Sequence, residues 1–265
     1  LGFRVKGFDA DPRVMQSLRK GKTHIFEVGL DALMKEHAGK NFKAVDSFSG
    51  EHNCDIYFVA VGTPLRKNKT PDLGHLESAI RNIGKVLKRG DLVVLRSTVP
   101  VGTTRNAVLP ILEEASGLTG GSDFLLSFAP ERTIEGKALE ELRTLPQVIG
   151  GLNHVSSDAT ANIFGFMTNS TFMLDSLEEA EMVKLVNNTY RDVTFAFANE
   201  ISLISRKWNV NTKRVIEAAN HGYPRSQVPM PSPGVGGYCL EKDPYILAES
   251  AKAKNHEPLL ITHAR

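Results

Sequence analysis

Cys54-Asp55-Ile56-Tyr57-Phe58-Val59-Ala60-Val61-Gly62-Thr63-Pro64 decides the fold. The apolar run has the length of a strand and is stopped by a glycine and a proline. A near-continuous apolar strand signals burial on both faces, as in a parallel sheet covered by helices. Working outward toward the C-terminus, residues 74–88 read as a helix closed by Gly90. Asp91-Leu92-Val93-Val94-Leu95 is the next strand, ending at Ser97-Thr98-Val99-Pro100. A helix over 103–115 and a strand over 124–128 follow, the latter ending at Ala129-Pro130-Glu131. Short strands fit 147–149 and 172–174, with a helix over 154–166 between them. Toward the N-terminus, residues 3–9 read as a strand ending in Asp9. Asp11-Pro12 then starts a helix over 12–20, with Asp as N-cap and Pro at the first helical position. Regular alternation of strand and helix predicts a doubly wound α/β sheet. Thr63, Thr98 and Glu131 all fall just past strand C-termini, the edge at which open α/β sheets bind ligands.

From about residue 177 the pattern changes. Residues 177–206 lack Gly and Pro and predict one helix about 45 Å long at 1.5 Å per residue. Val183, Val186, Tyr190, Val193, Phe197, Ile201 and Ile204 recur at spacings of three and four, which predicts a core stripe. Lys184, Asn188 and Arg191 form a second stripe roughly 150° away, and a solvated helix face explains it as simply as a site does. Helices are expected over 211–219 and 243–253, separated by a loop rich in proline and glycine, and 256–265 reads as the start of another.

Composition bounds the classes. The chain has 265 residues, 41% apolar and 23% charged, with a net charge of +2. These values are ordinary for a globular protein and give no strong pull toward nucleic acid or membrane. Two cysteines exclude a disulfide framework and fit a reducing, cytoplasmic setting. No apolar run reaches the ~18 residues a membrane helix needs, and no spacing of Cys and His resembles a metal site. Leu1 in place of a start methionine, followed at once by a strand, reads as a piece whose beginning lies upstream.

The stretch richest in chemistry is Gly236-Gly237-Tyr238-Cys239-Leu240-Glu241-Lys242-Asp243-Pro244. A cysteine after a glycine pair, beside a lysine and a helix start, sits in a positive field that favours the nucleophilic thiolate. An inert loop cysteine is the competing reading. Cys54, at the start of an apolar strand, reads as a small core residue.

Taken together, these blocks resemble the nucleotide-sugar 6-dehydrogenases, the UDP-glucose/GDP-mannose dehydrogenase family. The resemblance is carried in order by Gly7-Phe8-Asp9, Val61-Gly62-Thr63-Pro64, Ser97-Thr98-Val99-Pro100-Val101-Gly102-Thr103, Pro130-Glu131-Arg132, Lys184 with Asn188, Asn199-Glu200, and Gly236 to Asp243. It implies a Rossmann-type doubly wound sheet, lacking its first strand and Gly-rich loop, followed by an α-helical central domain. The implied domains are 1–175, binding NAD, and 176–265, helical and catalytic, with a C-terminal nucleotide-binding domain beyond. The implied activity is a four-electron oxidation of a sugar CH2OH to a carboxylate, with NAD as acceptor and no metal.

The resemblance also implies roles. Cys239 is the nucleophile that holds the aldehyde as a thiohemiacetal and then a thioester. Lys184 and Asn188 stabilise the oxyanion. Asp243 hydrogen-bonds the reacting water or Lys184, although a helix N-cap is an equally good reading. Glu131, as general base, and Thr98 orient the hydrolytic water. Asp9 receives the adenosine ribose hydroxyls, with Arg13 nearby or simply exposed, and Val61, Gly62, Thr63, Ser97 and Thr98 line the cofactor. Arg132, Lys184, Asn188, Arg191, Arg225 and Gly236 are implied to meet the substrate. Lys242 follows the pattern too, an exposed lysine being as good a reading.

Arg191, Pro224-Arg225 and Pro233-Gly234-Val235-Gly236-Gly237 resemble the UDP-N-acetylhexosamine branch, which includes UDP-N-acetylmannosamine dehydrogenases. Two departures point elsewhere. The branch usually has His where Tyr238 stands and Gly where Ser232 stands, while Lys242-Asp243 is typical of the UDP-glucose enzymes. UDP-glucose is therefore the alternative substrate. A two-electron Rossmann dehydrogenase and a truncated, inactive piece are the alternative functions. The family's habit implies a homodimer or higher homo-oligomer.

Overall fold

The structure is a computed structural model that describes residues 2–47 and 54–265. It divides into two compact units. One comprises Leu1–Val61, Gly74–Ser97 and Gly102–Ala180; the other comprises Gly62–Leu73, Thr98–Val101 and Glu181–Arg265.

The first unit is α/β. Strands β1 (Val5–Gly7) and β2 (Phe42–Ala44) pair in parallel. Between them lie helices α1 (Pro12–Arg19) and α2 (Leu30–His37). Asp11 caps α1 as expected, its carboxylate accepting the Arg13 N–H at 2.8 Å. Neither α2 nor β2 was legible in the sequence, since 22–45 shows no clean apolar period.

A five-stranded sheet follows in the order β3 (Ile56–Val59), β4 (Leu92–Leu95), β5 (Leu125–Phe128), β6 (Gln147–Gly151), β7 (Thr171–Leu174). The first three strands run parallel, and β6 is antiparallel to β5. Strand β4 is buried along its whole length, as its unbroken apolar run demands. Strand β3 departs from expectation. Among the described residues it pairs only with β4, so it is an edge strand, and Phe58 is exposed rather than buried. Cys54, expected in the core, is half-buried.

Leu92, Val94, Ala129, Ile149 and Phe164 form the core of one face, with Phe164 supplied by α6 (His154–Phe164). Helices α3 (Gly74–Gly84) and α4 (Leu109–Ser116) pack on each other, and α3 also meets β3. The two helices approach so closely that a Cβ on Gly84 would stand 2.6 Å from the Ala115 Cβ. A π-helical turn over Thr104–Val108 leads into α4. Pro110 has no N–H to return to the Asn106 carbonyl, so the ladder there cannot close with ordinary α spacing. Helix α5 (Ala138–Thr144) precedes β6.

Helix α7 (Leu177–Lys207) begins in the first unit and continues into the second. The expected core stripe is corrected here. Val186, Tyr190, Phe197 and Ile204 are exposed, while Ala180, Glu181, Leu185, Thr189, Asp192, Ala198 and Ser205 are buried. The helix turns its small and polar face inward, where Asp192 receives the Arg265 guanidinium at 2.6 Å. Helices α8 (Thr212–Asn220), α9 (Asp243–Lys252) and α10 (Leu259–Ala264) complete the second unit. Among the described residues no helix is long and apolar enough to cross a membrane.

Candidate active site

The second unit gathers the chemistry of the cysteine loop. Cys239 is exposed. Its carbonyl accepts the N–H groups of Lys242 at 3.2 Å and Asp243 at 2.9 Å, so the cysteine stands one tight turn ahead of α9. Gly237 makes that turn possible, with φ +97°, a conformation closed to most side chains.

Asp243 opens α9 but does not cap it; the cap position falls to Lys242, which makes no side-chain cap bond. The carboxylate of Asp243 points instead to α7, where Oδ2 accepts Asn188 Nδ2 at 2.6 Å. Asp243 is fully buried, and its Oδ1 has no hydrogen-bond partner among the described residues. Burial pushes the Asp243 carboxyl above its ordinary range, against the Asn188 hydrogen bond and the charges of Lys242 and Lys184.

Lys242 is buried, not exposed. Its ammonium donates to the Thr63 carbonyl at 3.2 Å and to Thr63 Oγ1 at 3.1 Å. It also lies 4.9 Å from the Tyr238 ring and 3.9 Å from Asp243 Oδ1. Burial lowers its pKa, with Asp243 opposing. The Thr63 hydroxyl spends its one proton on the Thr98 carbonyl at 2.5 Å, so it can only accept from Lys242. The chain of donors therefore runs Lys242 to Thr63 to Thr98, and it uses the backbone of Thr98, not its hydroxyl. Lys184, half-buried on α7, is near enough for its charge to act on both Asp243 and Lys242. Beside these residues lies a cavity of about 370 Å³ lined by Pro64, Leu65, Lys69, Tyr238, Lys242 and Tyr245 among others.

The remaining expected substrate contacts in this unit stand apart. Arg191 and Arg225 are exposed, and the Arg225 guanidinium lies 4.7 Å over the Tyr223 ring. Among the described residues no hydrogen bond or ion pair joins either arginine to residues 236–243. Gly236 is exposed, and among the described residues none beyond its chain neighbours comes within 4 Å of where its Cβ would be.

The first unit holds the expected ribose acceptor and general base. Asp9 is exposed just past β1, and its Oδ1 takes the Asp11 N–H at 2.8 Å. Arg13 is engaged with Asp11, Nη2 to Oδ2 at 2.7 Å. Val61 and Ser97 follow β3 and β4, with Ser97 buried. Arg132 donates to the Pro146 carbonyl. Glu131 is paired with Arg96, Oε2 to Nη2 at 2.5 Å. An exposed carboxylate just past a parallel strand suits the ribose hydroxyls of a dinucleotide.

Sequence reasoning missed Arg96 and left Lys242 undecided. The available signal for Arg96 was an arginine directly ending a fully apolar strand. The family pattern marked Lys242, but nothing local marked its burial, because its partner Thr63 is 179 residues away.

Comparison with known proteins defines the class. Residues 1–168 match the UDP-glucose/GDP-mannose dehydrogenase family, NAD binding domain, and residues 178–265 match the central domain of the same family. The chain belongs to that family. A UDP-N-acetyl-D-mannosamine dehydrogenase from Pyrococcus horikoshii is 38% identical over 253 residues, covering 95% of this chain and 60% of that one. An NDP-N-acetyl-D-galactosaminuronic acid dehydrogenase from Ralstonia nicotianae is 36% identical, covering 93% and 59%. The solved UDP-D-ManNAc dehydrogenase of P. horikoshii superposes with a TM-score of 0.92 at 36% identity, over 99% of this chain and 62% of that one. A UDP-glucose dehydrogenase from Pyrobaculum islandicum superposes with a TM-score of 0.87 at 29% identity, over 99% and 62%. The chain thus spans about three-fifths of the length of these relatives.

Proposed function

We propose that this chain is the NAD-binding part, residues 1–175, and the helical catalytic part, residues 176–265, of a nucleotide-sugar 6-dehydrogenase. The reaction is oxidation of the C6 alcohol of a UDP-sugar to the uronate, with UDP-N-acetylmannosamine or a related UDP-N-acetylhexosamine as substrate. The names of the most similar relatives support the acetamido sugar. One observation carries the chemistry: the buried Asp243, bound to Asn188 at 2.6 Å, sits four residues past an exposed cysteine.

Asp9, Arg13, Val61, Gly62, Thr63, Ser97 and Thr98 hold NAD in this reading. Bound NAD supplies the hydride acceptor for both oxidations, alcohol to aldehyde and thiohemiacetal to thioester. Cys239 Sγ attacks the aldehyde carbon; a C–S bond forms, and the carbonyl oxygen becomes an oxyanion. Lys184 and Asn188 supply a cation and an amide donor to that oxygen. In hydrolysis, water attacks the thioester carbon and gives its proton to the Glu131 carboxylate. The C–S bond then breaks, and Cys239 leaves as thiolate. Thr98 orients the water. Arg132, Arg191, Arg225 and Gly236 are assigned to the substrate, and the protein to a homo-oligomer. The exposed apolar face of α7 supports self-association.

Cys239→Ser tests the reading: it should abolish net uronate formation. Uronate made by this variant at the wild-type rate would contradict it.

A further inference from the structure

Arg96 has no place in the chemistry above, yet it is among the most heavily committed side chains in the first unit. It directly follows the buried strand β4, and only 9% of its side chain is exposed. A guanidinium is costly to bury unless paired and hydrogen-bonded. Its Nη2 lies 2.5 Å from Glu131 Oε2, and its Nη1 lies 3.5 Å from Gln147 Oε1. Its central carbon stands 5.0 Å over the Phe164 ring.

The topology explains the cluster. Strands β4 and β5 are parallel neighbours with Leu95 opposite Phe128, so the residues that follow both strands share one sheet edge. Strand β6 is antiparallel to β5, with Phe128 opposite Gly150. Extending that register by three residues sets Gln147 opposite Glu131. Arg96 thus arrives between a carboxylate and an amide at the ligand-binding edge of the sheet.

Glu131 is held at both oxygens. Oε1 accepts the Thr133 N–H at 2.9 Å, while Oε2 takes Arg96. The carboxylate plane is therefore fixed, although 37% of the side chain remains exposed. Burial raises the Glu131 pKa, but the Arg96 charge and the Thr133 and Arg96 hydrogen bonds together hold it below the ordinary range.

We propose that Arg96 is a positioning residue for Glu131, fixing the orientation and ionisation of the carboxylate that takes the proton of the hydrolytic water. The inference rests on the function proposed above. Nothing about Arg96 entered that proposal.

The test has two arms. In the first, the Glu131 carboxyl is titrated by carbon-13 NMR in the wild-type chain and in Arg96→Met. The midpoint should rise by about one unit or more on loss of an adjacent cation. An unchanged midpoint overturns the proposal. In the second, UDP-N-acetylmannosamine and NAD are supplied to the enzyme, and the mass of the Cys239 peptide is followed. Arg96→Met should accumulate the thioester at least tenfold over wild type, with the initial NADH burst retained. A raised midpoint with no accumulation also overturns the proposal, because the carboxylate then needs no help in hydrolysis. Arg96→Lys covers the case in which Arg96→Met does not fold. It keeps the buried cation but loses the planar fork, so it should keep a low midpoint and still accumulate thioester. If instead Cys239 is never acylated in wild type or in Glu131→Gln, the dehydrogenase reading has failed, which the titration arm does not depend on.

Discussion

Asn188 and Asp243, 55 residues apart in the chain, share a 2.6 Å hydrogen bond from the amide to a carboxylate that is completely buried. Burial is the larger force on that carboxyl and raises its pKa above the ordinary 3.8. The folded protein thus holds this proton more tightly than the unfolded chain does. The group's contribution to stability therefore falls as pH climbs from about 3.8 through the raised folded value. Asp243→Asn keeps an acceptor for Asn188 and removes the charge. Its stability relative to wild type should improve as pH rises across that window, read from urea unfolding at a series of pH values. A difference that is flat or shrinks with pH would count against this account.

Glu131 has the opposite sign. Arg96 and Thr133 outweigh burial and hold its pKa below 4.5. Its contribution is present above that value and is lost as pH falls through the lowered folded pKa. Glu131→Gln should therefore be less stable than wild type at pH 7, with the gap closing in acid. The same unfolding series reads both variants.

Thr63 joins Lys242 to Thr98 through one hydroxyl. Thr63→Val is isosteric and strips an acceptor from a buried ammonium and a donor from a buried carbonyl. We expect a loss of about 1–3 kcal/mol, measured by denaturant midpoint with unchanged slope. A loss under about 0.5 kcal/mol would mean that the chain of donors does not hold the turn.

The sidedness of α7 can be tested directly. Leu185 is completely buried, so Leu185→Ala should cost about 2–5 kcal/mol. Tyr190 is 69% exposed, and Tyr190→Ser should change the unfolding free energy by no more than about 0.5 kcal/mol. The reverse ranking would restore the apolar stripe as the core face.

Much of the first unit was legible in its sequence. The run at 92–95 is buried on both faces, and the strand read ahead of Gly62 is present, ending at Val59. Those signals are local. The facing of α7 is not, because helical periodicity reports that an apolar face exists and leaves open what it faces. Val186, Tyr190, Phe197 and Ile204 keep the right period on the outer side, while Asp192 turns inward because Arg265 is there to meet it. The candidate site divides in the same way. Cys239, Asn188 and Asp243 were marked by a motif, and two of them do meet. Arg96 and Lys242 owe their placement to strand order and to partners far away in sequence.

The two cysteines should differ under alkylation. Cys239 is exposed and Cys54 half-buried. Iodoacetamide should modify Cys239 first, and that modification alone should abolish turnover. Peptide mapping against residual activity follows both. Full activity with Cys239 modified would remove the nucleophile from the mechanism.

The central claim is that one cysteine carries a sugar through two successive oxidations, and the NADH yield per sugar tests it most directly. With limiting UDP-N-acetylmannosamine and excess NAD, the account predicts two NADH per uronate formed in wild type, and no uronate with at most one NADH per sugar in Cys239→Ser. One NADH per sugar with an aldehyde or ketone as product, unaffected by Cys239→Ser, would contradict it.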